Sequence, residues 1–291
     1  MLTLQFSING ILIGGVYALI AVSIVLVYKA TQIFNFAVGE LMTLGGFICY
    51  SLVVWGGFPL WLTILCGILL AIIIGGLVER LLLRPLFNQP ILTIVMATLA
   101  LASVLEGLVL MVWQGEDVAF PDGLLPGSTL YLDDIIISNE LLWAFGIAMA
   151  SFIVLAYFFR KTKTGLKMRG VSEDHELSSS CGIDITSIFA VTWIMATILG
   201  MMSGFLLGNR TALSISTTPI VALNAFPAVI FGGLESIPGA IIGGLTIGLI
   251  ESLVGGLVDP TFGKICPYII LLIVLVIRPE GLFGLKRIER I

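Results

Sequence analysis

Residues 6–28 read FSINGILIGGVYALIAVSIVLVY and contain no charged side chain. A helix of about 20 apolar residues is long enough to cross the hydrocarbon core of a bilayer. The stretch therefore predicts a membrane-spanning helix. No basic residue precedes it, since Lys29 is the first in the chain, and the apolar run is too long for a cleaved signal peptide. We expect it to remain as the first span.

The rest of the chain repeats this pattern. Of its 291 residues, 58% are hydrophobic and 11% are charged, whereas soluble domains carry about 25% charged residues. Further apolar runs lie at 35–55, 60–79, 90–113, 140–159, 187–208, 219–232, 238–257 and 265–278. The short run 219–232 contains Pro219 and Pro227, which predict a broken or partly re-entrant helix. We expect an all-α polytopic membrane protein in one domain, residues 1–291, with eight or nine transmembrane helices.

The distribution of charge predicts how the chain is oriented. Segment 114–139 has five acidic residues and no Lys or Arg, whereas segment 160–186 has five Lys or Arg residues. Basic residues also follow Arg278 in the tail. Basic loops remain on the cytoplasmic side of a membrane. We therefore expect 114–139 and the N-terminus outside a bacterial inner membrane, and 160–186 and the C-terminus in the cytoplasm.

Composition excludes several other classes of protein. The net charge is −4 and the basic residues are dispersed, so the sequence does not predict the basic patch that a nucleic-acid-binding protein needs. One histidine and four scattered cysteines do not supply a metal site, and we expect the cysteines to be free thiols. The sequence has neither a phosphate-binding GxxxxGK[ST] loop nor a nucleophile–base arrangement. We expect a membrane protein with no cofactor and no enzymatic activity of its own.

Small residues recur every four positions from Ala196 to Gly208, and the same spacing appears from Gly239. In lipid, such a stripe lets two helix backbones approach closely. The stripe could serve packing within one chain, or it could form a seam between two subunits. The candidate packing residues are Gly200, Gly204, Gly208, Gly239 and Gly243.

A few polar side chains interrupt the apolar runs. Because polar groups at membrane depth are costly, they often mark a transport path. The alternative is that they form hydrogen bonds that only hold the bundle together. No span pairs a Lys or Arg with these acids, which disfavours a proton relay. The candidate path residues are Asn35, Glu40, Glu106, Asn224 and Glu251.

Segment 160–183 reads RKTKTGLKMRGVSEDHELSSSCGI, with basic residues first and acidic ones after. Ser172 can cap a helix, and the acids that follow it suit a positive helix N-terminus. The pattern predicts a short amphipathic helix that docks a soluble partner, with His175 exposed. An ordinary solvated loop is the alternative.

Six blocks of sequence, taken together and in order, resemble the integral-membrane permeases of branched-chain amino acid ABC importers, the shorter of their two paired types. The blocks are Asn9–Leu19, 35–47, 79–86, 160–183, 225–252 and 278–284. The resemblance implies the ABC-importer permease fold and a transport path for leucine, isoleucine and valine. It also implies four kinds of partner: a second related permease, two cytoplasmic ATPases, an extracytoplasmic binding protein and the bilayer.

By the same resemblance, 160–183 is the segment that couples the permease to its ATPases. Its candidate residues are Lys163, Gly165, Arg169, Glu173, Asp174 and Gly182. The sequence departs from the family pattern at 177–181 and at Glu235. Two alternatives stay open: an importer of the same class that carries urea or short amides, and an ion-coupled secondary transporter or channel.

Overall fold

The computed structural model describes residues 2–87, 89–121, 123–132 and 135–284. The acidic residues Asp122, Asp133 and Asp134 and the basic tail residues Lys286, Arg287 and Arg290 lie outside this part. Twelve α-helices, one short antiparallel strand pair, one π-helical turn and one 3₁₀ turn make up the regular structure of the described residues.

The helices in chain order are α1 (Leu2–Thr31), α2 (Val38–Val54), α3 (Leu60–Leu77), α4 (Ile91–Trp113), α5 (Asn139–Lys161), α6 (Lys163–Glu173), α7 (His175–Ser180), α8 (Ile185–Gly208), α9 (Thr218–Leu223), α10 (Ala225–Gly232), α11 (Ile237–Leu257) and α12 (Pro260–Ile277). The strands are β1 (Leu130–Leu132) and β2 (Ile135–Ile137), in the loop between α4 and α5. A π-helical turn, Val78–Leu83, and a 3₁₀ turn, Arg84–Leu86, continue α3.

Seven helical segments in the described ranges are long and apolar enough to cross a membrane. Two shorter apolar segments, α2 and the α9–α10 pair, bring the number within the predicted eight or nine. The prediction of an all-α polytopic membrane protein is confirmed. The four cysteines are free thiols, as predicted.

The predicted break in the run 219–232 lies at Asn224, between α9 and α10. Pro227 explains its position, because proline has no N–H to donate and its ring crowds the carbonyl group four residues earlier, that of Leu223. Such an interruption is tolerated in a membrane protein where neighbouring helices cover the backbone. Ala222 and Ala225, on either side of it, are fully buried.

Helix α1 lies at the centre of the bundle, and most of its residues are buried. It packs against α11 through small residues. A Cβ atom added to Gly10 would lie 2.8 Å from the Cα of Leu249, and one added to Gly14 would lie 2.8 Å from the Cα of Leu245. Residue numbers rise along α1 as they fall along α11, so the two helices run antiparallel.

The candidate packing glycines face neighbours within the chain. A Cβ at Gly204 would overlap the carbonyl oxygen of Met42 in α2, and Gly239 and Gly243 meet the backbone of α10 in the same way. At Gly208 the nearest group is the Phe120 ring, 2.7 Å away. Gly200 differs, since an added Cβ would lie 3.9 Å from the Ser23 hydroxyl.

Helix α5 runs parallel to α1, which places the two long loops at opposite ends of the bundle. Gly15 of α1 contacts Phe145 near the start of α5, and Ala30 lies with Phe159 near its end. The loop before α5, which contains the acidic segment, is therefore at the end where α1 begins. The α6–α7 segment after α5 is at the end where α1 finishes. We call these the acidic-loop end and the coupling end.

Candidate functional site

At the acidic-loop end, a cavity of about 360 Å³ lies between α1, α11, α12 and the residues that follow α8. We call it the outer cavity. Its polar lining groups come from four different elements, so only the folded bundle brings them together. They are Asn9, Tyr17, Arg210, Glu251, Ser252 and Lys264.

The outer cavity combines both signs of charge. The cationic side chains of Arg210 and Lys264 are the charged neighbours of the Glu251 carboxylate, and the Tyr17 hydroxyl lies beside it. Oxygen Oε2 of Glu251 and Oδ1 of Asn9 are buried and lack a hydrogen-bond partner in the described chain. Since buried polar atoms are normally paired, these two acceptors are available to a ligand that donates hydrogen bonds.

The helix break at Asn224 adjoins this cavity. The hydroxyl of Tyr268 in α12 donates a hydrogen bond to Oδ1 of Asn224, 2.7 Å away. The Tyr17 hydroxyl lies close to both Asn224 and Glu251. The structure therefore brings together two of the five candidate path residues, through two tyrosines that the sequence did not single out.

A second pair of candidates lies elsewhere in the bundle. Glu40, near the start of α2, and Glu106, in the middle of α4, are close enough to interact electrostatically. Oxygen Oε2 of Glu40 is buried without a partner, while the side chain of Glu106 is exposed on the bundle surface. A carboxylate that faces lipid costs a few kcal/mol. This face of α4 is therefore suited to an aqueous path or to a neighbouring subunit.

Asn35 does not join either pair. Its side chain is buried, and its Oδ1 accepts a hydrogen bond of 2.9 Å from the backbone N–H of Ala37. That bond shapes the non-helical entry to α2. The entry lies beside the middle of α4, where Leu41 packs against Leu105. Asn35 thus holds irregular backbone within the bundle.

The segment after α5 forms two short helices, so the prediction of a single helix capped by Ser172 is wrong. Thr162 caps α6 through a 2.9 Å bond from the N–H of Gly165. Asp174 caps α7 through a 2.8 Å bond from the N–H of Leu177. Ser172 lies in the last turn of α6, and its hydroxyl bonds the carbonyl oxygen of Arg169. We call α6 and α7 together the coupling element.

The acids of the coupling element do not all suit a helix N-terminus as predicted. Glu173 is the last residue of α6, at its negative end, whereas Glu176 lies in the first turn of α7. A helix dipole favours an anion only at the N-terminus. Asp174 does not lie at the negative end of a helix, because its extended backbone, with φ of −156°, places it between α6 and α7.

The remaining candidates of the coupling element divide into exposed and buried positions. Lys163 and Arg169 are exposed, as is Glu173. Gly165 is buried against the backbone of Phe158 and Phe159, where a Cβ would overlap the chain. Gly182 follows α7 with φ of +79°, a conformation that favours glycine.

His175 is half-buried, so the prediction of an exposed histidine is wrong. Its Nε2 lies 3.0 Å from the carbonyl oxygen of Ala30, and its ring meets that of Phe189 edge-on at 5.7 Å. These contacts attach α7 to the end of α1 and to α8. At the start of α8, Asp184 caps the helix, and the Ser187 hydroxyl and the Thr186 N–H, both hydrogen-bonded to its carboxylate, lower its pKa.

Comparison with known proteins agrees with this architecture. The chain is 28% identical to the high-affinity branched-chain amino acid transport system permease protein LivH of Salmonella typhimurium, over 99% of this chain and 97% of LivH. It is 27% identical to BraD of Pseudomonas aeruginosa, a permease protein of the same description, over 99% and 98% of the two chains. A more distant relative, the fructose import permease protein FrcC of Rhizobium meliloti, is 24% identical over 74% of this chain and 61% of FrcC.

The protein family described as "Branched-chain amino acid transport system / permease component" matches residues 6–275. That range contains all twelve helices apart from the ends of α1 and α12. It contains the outer cavity and the coupling element as well. The chain is therefore a multi-pass transport subunit rather than an enzyme, and it belongs to the family of permease components of branched-chain amino acid transport systems.

Proposed function

We propose that this chain forms the membrane path of an ATP-driven importer and that it carries leucine, isoleucine and valine. The observation that supports this most directly is the outer cavity, whose lining includes Glu251 and its two charged neighbours, Arg210 and Lys264. A free amino acid has one ammonium and one carboxylate group, which complement these opposite charges. The descriptions of LivH and BraD point to the same substrates.

The charges of the outer cavity favour a zwitterion over neutral cargoes. The ammonium group of an amino acid would meet Glu251, and its carboxylate would meet Arg210 and Lys264. The apolar side chain would lie against Phe6 and Ile13, which also line the cavity. Urea, a short amide or a sugar carries no formal charge, so it would not form the charge-assisted hydrogen bonds that an amino acid can form with Glu251, Arg210 and Lys264. We therefore favour branched-chain amino acids over the neutral cargoes.

The importer assembly that we propose contains subunits besides this chain. Because the sequence contains no phosphate-binding loop, two separate cytoplasmic ATPases would supply the energy. A second related permease would cover the face of α4 that exposes Glu106. An extracytoplasmic binding protein would deliver the substrate to the acidic-loop end. In this assembly the coupling end and the C-terminus would face the cytoplasm and the N-terminus would lie outside the inner membrane, which agrees with the positions of the basic residues.

Replacing Glu251 with glutamine tests the role of the outer cavity. The side chain keeps its size and loses the charge that would bind the substrate ammonium group. A hydrogen bond to a charged group is worth about 1.5–3 kcal/mol, so we expect leucine uptake by the reconstituted importer to slow by about tenfold to a hundredfold.

Glu235→Gln is the matched control, since Glu235 lies in the loop between α10 and α11, away from the cavity. It should transport at the wild-type rate. Equal uptake by Glu251→Gln, Arg210→Gln and wild-type importers would show that the outer cavity does not hold the substrate.

A further inference from the structure

A second cavity, of about 300 Å³, lies at the coupling end of the chain. We call it the inner cavity. It is formed where α1 finishes, where the π-helical turn follows α3, and where α4, α7 and α8 begin. The part of its lining that matters here consists of Glu79, Arg84, Phe87, His175, Phe189 and Trp193.

A buried carboxylate lines this cavity. Glu79 is only 5% exposed, and the basic residues that interact electrostatically with its carboxylate are Arg84 and Arg80. Desolvating a carboxylate is expensive unless a cation compensates it. Glu79 lies in the π-helical turn Val78–Leu83, and such turns occur frequently at functional sites because they redirect side chains out of the helical register.

The rest of the wall is mostly apolar. Phe87 and Phe189 pack together with their ring centroids 5.3 Å apart, and the Trp193 side chain is 2% exposed. Further apolar side chains of the lining are Ile33, Leu83, Ile91 and Ile94. One anionic group, one cationic group and an apolar wall thus surround a volume at the lower limit of known small-molecule sites, about 300–1,000 Å³.

His175 connects the inner cavity to the coupling element. Its ring lines the cavity and packs against Phe189, while its Nε2 faces the carbonyl oxygen of Ala30. A molecule in the cavity would therefore contact the residue that attaches α7 to α1. The position of α7 would depend on whether the cavity is occupied.

We propose that the inner cavity is a second, cytoplasmic binding site for an apolar α-amino acid, and that its occupation slows transport. The ammonium group lies at Glu79, the carboxylate at Arg84, and the side chain against Phe87, Phe189 and Trp193. Bound amino acid holds His175 and α7 in one position and so reports the internal concentration to the ATPases. The identity of the ligand rests on the proposed function, whereas the site rests on the cavity itself.

Binding of labelled leucine to the complete importer in phosphatidylcholine nanodiscs, without ATP or binding protein, tests this site directly. The importer used carries Glu251→Gln, so that the outer cavity contributes little to the leucine bound. In this background we expect saturable binding that Glu79→Gln weakens at least tenfold and that Phe189→Ala also weakens. Phe189→Ala keeps the test valid if Glu79→Gln fails to fold.

Four results would overturn the proposal. In the Glu251→Gln background, binding that survives both inner-cavity variants would place leucine elsewhere, and saturable binding seen only when Glu251 is intact would belong to the outer cavity. Absence of leucine binding together with Glu79-dependent copurification of phosphatidylethanolamine would assign the cavity to a lipid headgroup. Uptake by the importer with Glu251 intact separates the two proposals: normal uptake by that importer without inner-cavity binding would refute this inference and leave the transport function standing.

The regulatory step has its own measurement. In proteoliposomes that contain the importer, internal leucine should slow ATP-driven uptake of labelled leucine several-fold relative to empty vesicles. Internal alanine, whose side chain does not reach the aromatic wall, should slow it far less. Equal rates in leucine-loaded and empty vesicles would exclude regulation through this cavity.

Discussion

Replacing Gly204 with alanine is expected to separate α2 from α8. As a result, we expect the yield of folded protein in the membrane to fall to a small part of the wild-type yield. The added Cβ would overlap the carbonyl oxygen of Met42 and lie 2.9 Å from the amide nitrogen of Gly46. These are backbone atoms, so no side-chain rotation relieves the overlap. Overpacking typically costs 1–3 kcal/mol, and we expect about 3 kcal/mol or more here.

Gly200→Ala is the matched control on the same helix. Its Cβ would lie 3.9 Å from the Ser23 hydroxyl, an ordinary contact distance, so the variant should fold as the wild type does. The measurement is the yield of monodisperse detergent-solubilised protein and its thermal stability. If Gly204→Ala matched Gly200→Ala in both, the α2–α8 packing described above would be incorrect.

Replacing Leu177 with glutamate is expected to release the ATPases without unfolding the permease. Leu177 lies in α7, outside the bilayer-crossing helices, and is 65% exposed. A large apolar side chain exposed at the proposed docking site is suited to burial against a partner, which stabilises a complex by about 1.5–3 kcal/mol. Losing that contact should weaken ATPase binding by about tenfold to a hundredfold.

Ser179→Glu adds the same charge two residues away at an exposed position and should bind the ATPases nearly as well as the wild type. Asp174→Asn is a second control, because asparagine caps a helix as well as aspartate does. The measurement is copurification of ATPases with the permease. Undiminished copurification with Leu177→Glu would show that Leu177 of α7 is not part of the docking site.

The spans were predictable because apolar length is a local property of the sequence. The break at Asn224 was predictable for the same reason, since Pro227 disturbs the helix in any surroundings. The helix start in the coupling element was not. Ser172 and Asp174 are both residue types that cap helices well. Which of them caps a helix depends on α6, because α6 begins after Thr162 and includes Ser172, which leaves Asp174 as the cap of α7.

The candidate site was predictable only in part. Glu251 and Asn224 attract attention because polar groups are rare in apolar runs. Tyr17 and Tyr268 could not be identified in this way, because an aromatic residue in an apolar run is usually a packing residue of the core. Their hydroxyl contacts depend on how α1, α10, α11 and α12 pack. The burial of His175 likewise requires Ala30, which is 145 residues away in sequence.

The most direct test of the account is leucine uptake into proteoliposomes that contain this permease, its paired permease and the binding protein, with and without the two ATPases. We expect ATP-dependent uptake by the complete assembly, competition by isoleucine and valine but not by urea, acetamide or fructose, and no uptake when the ATPases are omitted. Uptake by the permease without ATPases, driven by an ion gradient, would contradict the account and identify a secondary transporter.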